Sequence, residues 1–503
     1  MKSLPFLFLF SSDKITAKGE RRPIMSVFSD LLNYYIKEKK IKIYSLASAC
    51  QMDRSMLYRI ISGKRNPPSP EVFCKLTEHL PLTPSEAQKL RDAYELTRLG
   101  TSVYYRRKSV EQFLTSFPSH VASENIQFLF QKAALSPELP SAETACIPVF
   151  SRTEMDYYIH SILLSEAARI KGSIQLLIQP DCPFLFSTLS SLRSEGDLTI
   201  EHLICFSKTG QFTPERQLYN LKCLQTMLPL FFTTMDYKPY YYYDDITAHY
   251  QNFNAFPCMI LTSEYAIVCT ADYQKGFLYK GSGHLRLLQE LYQAYQQLCQ
   301  PLFHVIDYLP MDGSLQQMYR TVPSFILQPE TCITPLIDDE LLEKAVYPHL
   351  PDRDNFIRQA SVLLAANRSL LVPENLTIFF TISGLRQFLS TGRVHEIPEE
   401  LYRPLTLSER KQLLAYMIPY CQKGIYRLMK HPLNQLTENL HLVVNDTMGY
   451  LLFKDIHGKI LCFTFNEPSL LEAFLDYMKS LKNEQLYSCE DTAQMIQELI
   501  NEY

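Results

Sequence analysis

No C-x-x-C pair occurs among the thirteen cysteines, and none of them stands in paired spacing with a histidine. That removes the usual zinc-site patterns, and no metal ligand is assigned. Several cysteines (Cys205, Cys258, Cys269 and Cys462) sit inside apolar runs, where a free thiol behaves as a small hydrophobe. Such usage implies a reducing, cytoplasmic compartment. No apolar run reaches the roughly 18–20 residues of a membrane span. The "PFLFLF" of Pro5 to Phe10 is shorter than the ~7–15 residues of a signal-peptide core, and no small-residue cleavage site follows it. Phosphate-cradling G-x-x-x-x-G-K-[ST] and G-x-G-x-x-G are missing, as is the nucleophile elbow G-x-S-x-G. These absences predict no cofactor, no catalytic residues, no membrane partner and no enzymatic activity.

Charge, by contrast, is present and uneven. The 503 residues carry a formal net charge of −4. Residues 1–109 hold 20 Lys/Arg against 10 Asp/Glu, while the remainder holds 29 against 43. A basic head on an acidic body points to a polyanionic partner for the head alone. With 46% apolar residues the chain can build two to four domains with real cores. Residues 1–24 read as an over-called translation start. "KGERR" (Lys18 to Arg22) can be written entirely in purines, like a ribosome-binding sequence, just before Met25.

The stretch "SLASACQMDRSMLYRIISGKRNPPSPEVF" (Ser45 to Phe73) concentrates the local signals. Ile43, Leu46, Ala47 and Cys50 recur at i, i+3, i+4 and i+7, which predicts a short amphipathic helix. Asp53 is a good N-cap for a second helix buried through Leu57, Ile60 and Ile61. Arg54, Ser55, Tyr58, Arg59 and Ser62 fall on its other face. Gly63 suits the left-handed residue that ends a helix, and Pro67-Pro68 forbid continuation. Phe28, Leu31, Leu32, Tyr35 and Ile36 predict a helix before this pair. Ser69-Pro70 opens another, and the capping box Thr83-Pro84-Ser85-Glu86 starts a fifth that runs to Gly100. A helical connector is expected over 101–141, including "YYRRK" (Tyr104 to Lys108).

Residues 25–100 resemble the lambda-repressor-like, Cro/XRE-type helix-turn-helix DNA-binding domain. The match rests on Leu46-Ala47, on Met52-Asp53-Arg54-Ser55-Met56-Leu57, and on Ile60, Gly63, Arg65 and Pro67. Two positions depart from the family pattern. Gln51 stands where glycine is favoured, so a left-handed residue there costs about 1–2 kcal/mol, and Ile61 replaces the common glutamate. The resemblance implies that Arg54, Ser55, Tyr58 and Arg59 meet base edges in the major groove. It places Lys64, Arg65 and Asn66 on the phosphate backbone, with Ser45 adding a contact from the head of the preceding helix.

From Cys146 strands alternate with helices, which predicts an α/β (or α+β) body. "SIQLLIQP", "LTIEHLICF", "PYYYYDD", "CMILTS" and "YAIVCT" read as strands before the helix "HLRLLQELYQAYQQLCQPLF". "LHLVVND", "GYLLFKD" and "ILCFTFN" repeat that ending before the helix "PSLLEAFLDYMKSL". The body is therefore divided into a sensor half, 142–310, and a second, related half, 311–503. Its strand–helix ending faintly resembles phospholipase D-like folds and the sugar-sensing bodies of some regulators, although the H-x-K-x4-D signature of the former is missing. Asp244, Asp245 and His249 could be imagined as a metal or acid/base cluster, but alternating tyrosines of a strand explain that stretch better. The aromatic richness could equally line a ligand pocket.

Together these features describe a multidomain transcriptional regulator: an all-α five-helix head that binds a double-stranded DNA operator, and a body that senses a small molecule or peptide, forms a homodimer, or both. Two alternatives remain for the body, an enzyme whose expression is autoregulated and a protein-interaction platform.

Overall fold

The computed structural model describes residues 26–64, 69–117, 139–192, 196–207, 219–245, 255–307, 324–394, 396–436, 440–454, 460–482 and 484–503. Residues 1–24, expected to precede the true start, lie outside that set. The chain forms two compact units, Met1–Tyr105 and Arg106–Tyr503. Among the described residues there are sixteen α-helices and two mixed sheets.

The first unit contains α1 (Val27–Glu38), α2 (Ile43–Ala49), α3 (Arg54–Ile61), α4 (Pro70–Glu78) and α5 (Pro84–Leu99). Local chemistry sets nearly every boundary. Asp53 accepts from the backbone N–H of Ser55 and Met56 and so caps α3. Gly63, at φ +70, ends the turn after it. Thr83 and Glu86 cap α5 reciprocally. Inside, Phe28, Phe73 and Tyr94 meet ring to ring, with Phe73 stacked on Tyr94 at 4.1 Å. Ser29 Oγ donates to the Ile60 carbonyl at 2.8 Å, a buried polar tie between α1 and α3. The helix α6 (Thr101–Thr115) runs across the boundary between the units; residues 118–138 of the expected connector lie outside the described set.

The second unit holds both sheets. The first contains β1 (Ala145–Val149), β2 (Lys171–Leu177), β3 (Asp197–Ser207), β4 (Asp236–Asp244), β5 (Cys258–Leu261), β6 (Tyr265–Cys269), β7 (Gly276–Lys280) and β8 (Gln300–Pro301). Its spatial order is β1-β7-β6-β5-β2-β3-β4-β8. β2, β3 and β4 run parallel, and every other pairing is antiparallel. The crossover helices are α7 (Arg152–Ala167), α8 (Pro183–Ser191) and α9 (Tyr219–Met227), and α10 (Ser282–Gln296) follows β7.

The second sheet contains β9 (His304–Asp307), β10 (Ser324–Leu327), β11 (Leu376–Phe380), β12 (Tyr426–Leu428), β13 (His441–Val444), β14 (Gly449–Lys454) and β15 (Ile460–Phe465), in the order β12-β11-β10-β13-β14-β15-β9. Here β10, β11 and β12 are the parallel strands. Apart from the two-residue β8, the sheets share strand order and every relative direction: an antiparallel edge strand, a three-stranded meander, then three parallel strands. The helices are α11 (Asp339–Ala345), α12 (Arg353–Ser369), α13 (Ile382–Thr391), α14 (Leu407–Gln422), α15 (Pro468–Ser480) and α16 (Cys489–Glu502).

One boundary differs from the sequence reading. β9 pairs with β15, so the sheets part between Pro301 and His304 and not at residue 310. Among the helices of 338–428, β11 and the three-residue β12 complete the parallel part of the second sheet. Three residues carry no periodicity to read.

One apolar cluster spans both sheets, with Phe231, Phe303 and Phe463 in mutual contact and Phe117 against Phe453. A second cluster covers the far face of the second sheet, and a small one lies under α10.

Candidate nucleic-acid interface

The face of α3 follows from its period. At 3.6 residues per turn, Arg54, Ser55, Tyr58 and Arg59 fall within an arc of about 140°. All four are exposed, while Leu57, Ile60 and Ile61 are buried on the opposite side. The Arg54 guanidinium lies 5.5 Å from the Tyr58 ring centroid, which aligns two long side chains on one surface. Ser55 Oγ donates to Asp53 Oδ1, so its hydroxyl proton is occupied at the helix end and its oxygen remains an acceptor. Hydrogen bonds from Ser55 and Met56 hold the Asp53 carboxyl below its usual range. The acid beside this surface is therefore charged, and it is spent on the helix end.

Between α2 and α3 the chain turns over Cys50–Asp53, and Gln51 adopts φ +55. The left-handed residue that the sequence flagged at this position is in place, without the glycine that would relieve it. Ser45 and Lys64 are exposed. Arg65 and Asn66 lie outside the described residues. Sequence reasoning passed over Lys42 and Tyr44. Both are exposed at the start of α2, and Tyr44 is 71% accessible. The run "KEKKIKIYS" from Lys37 was the available signal.

Within the first unit, Met1–Tyr105, 17 Lys/Arg stand against 10 Asp/Glu. Arg106 and Arg107 belong to the body, where Glu472 and Asp476 engage them; Arg107 grips Asp476 through two hydrogen bonds of 3.0 and 2.8 Å. What remains is polarised. Residues 26–64 carry seven basic and three acidic residues, and 69–105 carry four and five. Positive charge sits with α1–α3.

In the body, Asp244 and Asp245 are exposed at the end of β4, and His249 lies outside the described residues. Among the described residues no group of three or more His, Cys, Asp or Glu is placed to hold a metal. A groove of about 390 Å³ between α12 and α14 is lined by Pro335, Arg368, Tyr416, Pro419, Tyr420 and Lys423, among others. Arg368 spends hydrogen bonds on the Pro335 and Ile337 carbonyls, and no carboxylate, thiol or imidazole lines the groove. No described helix is long and apolar enough to cross a membrane.

No family model matches the chain, and no curated protein matches it. Among solved structures it is similar to TrmBL2, described as an archaeal chromatin protein with a novel mode of DNA binding: 10% identity, TM-score 0.19, 54% of this chain and 99% of that one. It is also similar to phosphatidylserine synthase from Haemophilus influenzae, at 10% identity and TM-score 0.22 over 79% and 97% of the two chains. Polyphosphate kinase from Porphyromonas gingivalis matches at 9% identity and TM-score 0.18 over 66% and 46%. Scores this low carry no argument about what this chain does. The expectation that the chain is not an enzyme is withdrawn: it rested on the absence of a few motifs, and two of these neighbours are named as enzymes.

Proposed function

We propose that this chain is a sequence-specific DNA-binding transcriptional regulator. Its head acts as a helix-turn-helix of the lambda-repressor-like, XRE class, and its body acts as a sensing and dimerising module. The observation that carries this reading is the two-sided α3: four exposed polar, long-reach or adaptable side chains over a fully buried apolar stripe, reached through a tight left-handed turn. In this reading α3 enters the major groove. Arg54, Ser55, Tyr58 and Arg59 face base edges, while Ser45, Lys64, Arg65 and Asn66 hold phosphates. Lys42 and Tyr44 extend the phosphate contact at the start of α2. The concentration of positive charge in residues 26–64 supports the same side as the DNA face.

One recognition helix reads only a few base pairs, so two heads on half-sites about 34–36 Å apart are required for useful specificity. The operator contacts are tested by separating reading from attraction. Arg54→Ala should weaken binding to the operator selected from random duplexes by about 1–3 kcal/mol and leave random DNA nearly untouched. Lys64→Ala should weaken both alike and lower the salt slope by about one. Folded variants that behave identically on both DNAs would remove α3 from the groove.

A further inference from the structure

The helix α10 is amphipathic twice over. One side, through Leu285 and Tyr292, is buried on β5–β7. On the other side Leu287, Leu291 and Leu298 are exposed, at 59%, 41% and 77%, together with Ala294 and Tyr295. Leu287, Leu291 and Ala294 follow on the helix at spacings of four and three, and Leu298 continues the spacing from the turn just past its end at Gln296. That is the d-a-d-a seam by which one helix packs on another.

The fold itself shows what such a position takes. α15 follows β15 as α10 follows β7, in a sheet of the same strand order. α15 is covered by a helix: Phe474 meets Phe113 of α6 at 5.5 Å, and Asp476 accepts from Arg107. Its residues Leu470, Ala473, Phe474 and Tyr477 are accordingly buried. α10 has the apolar stripe, and among the described residues no helix covers it.

We propose that α10 is the dimerisation helix of this protein, pairing antiparallel with α10 of a second copy. The seam is self-complementary in that direction. A two-fold axis near residue 292 sets Leu287 against Leu298 and Leu291 against Ala294, and the small Ala294 admits the leucine opposite. The flanks suit a copy of themselves as well. Arg286 and Glu290 neutralise each other within one helix, and Gln289, Gln293 and Gln297 offer amides that both donate and accept. A patch of like charge, which would oppose self-pairing in so acidic a body, is missing from this helix. Burying the four exposed apolar side chains on each copy removes roughly 800 Å² in total, less than a standard specific interface, so the dimer is a weak and reversible one. Its functional use, presenting two heads to one operator, rests on the DNA reading; its existence does not.

The test is the mass of the full-length chain by sedimentation across a dilution series without DNA. The wild type should pass between monomer and dimer. Leu291→Glu should raise the dimer dissociation constant by at least about tenfold. Leu164→Glu, at an equally exposed leucine of α7, should leave it unchanged, and Leu291→Glu/Ala294→Lys should restore dimerisation by opposing unlike charges across the axis. A wild type that stays monomeric at tens of micromolar overturns the proposal, as does a folded Leu291→Glu that still dimerises or a double variant that does not recover. Arg54→Ala reports on the other question: loss of operator binding with the mass unchanged bears on the head alone.

Discussion

The two halves of the body share a strand order and differ in how they are covered. In the second half the helix after the meander is buried on nearly every face, and α11–α14 with α16 close the opposite side of the sheet over a large cluster. In the first half the equivalent helix α10 buries only Leu285 and Tyr292 and leaves leucines to solvent. Topology therefore fixes where a helix lies and does not fix how much it contributes. The contribution comes from what the rest of the chain brings to it, here α6 in one half and no described helix in the other.

That difference has a large energetic consequence. Phe474→Ala removes a ring packed against Phe113 and Phe465 and should destabilise the body by about 3–5 kcal/mol in urea unfolding. Leu291→Ala, on the bare helix, should stay within about 0.5 kcal/mol in dilute solution. Similar losses for the two would break the comparison.

The halves also respond oppositely to pH. The first buries His202, hydrogen-bonded to the Tyr237 hydroxyl and the Ile178 carbonyl, and burial pushes its imidazole from 6.5 down to about 4. The second buries Glu396 among Thr334, Cys332 and His441, and burial pushes its carboxyl from 4.5 up to about 7. As the pH falls from 6.5 towards 4, unfolded His202 takes up a proton that the folded residue refuses, so stability is lost on acidification. As the pH rises from 4.5 towards 7, unfolded Glu396 releases a proton that the folded residue keeps, so stability is lost on alkalinisation. Each effect amounts to up to about 3 kcal/mol, and between pH 4.5 and 6.5 they oppose one another. Urea midpoints of the wild type should be nearly flat over that window. His202→Gln should make them fall with rising pH, and Glu396→Gln should make them climb. Tilts of the same sign in both variants would refute the assignment.

A smaller effect belongs to the seam between the halves. Glu467 caps α15, and it accepts from the Tyr243 hydroxyl of β4 at 2.6 Å and from Ser469 at 2.6 Å. Tyr243→Phe removes a donor to a buried acceptor and should cost about 1.5–3 kcal/mol. The loss should vanish in a Glu467→Ala background, where the acceptor is gone, measured as a double-mutant cycle.

The head was legible because its signals are local: Asp53, Gly63 and the Thr83–Glu86 box each act within four residues of where they stand. Most strands of the body were legible for the same reason, as alternating or continuous apolar runs. What could not be read was pairing over distance. Nothing near His304 announces that it joins β15 some 160 residues later, and nothing in "YYRRK" announces acids at 472 and 476. The candidate DNA face was readable as a helical stripe, whereas the seam on α10 looked like the outer side of an ordinary covering helix until its twin was seen buried.

The comparison of covered with uncovered positions extends to backbone strain. Gln51 in the head and Tyr273 in the body both hold left-handed φ, at +55 and +57. Tyr273 is anchored there: its hydroxyl donates to Asp181 at 2.6 Å and Arg152 lies 5.3 Å from its ring, so a glycine would lose more than it relieved. Gln51 is exposed. A left-handed non-glycine residue costs about 1–2 kcal/mol, and the greater freedom of glycine in the unfolded chain returns about 0.5–1 of it. Gln51→Gly should therefore stabilise the head by about 0.5–1 kcal/mol in thermal or urea unfolding, with operator affinity unchanged because α3 keeps its place. If the variant were less stable, the turn would draw support from the Gln51 side chain, and the position would belong with Tyr273 among those that the fold has anchored.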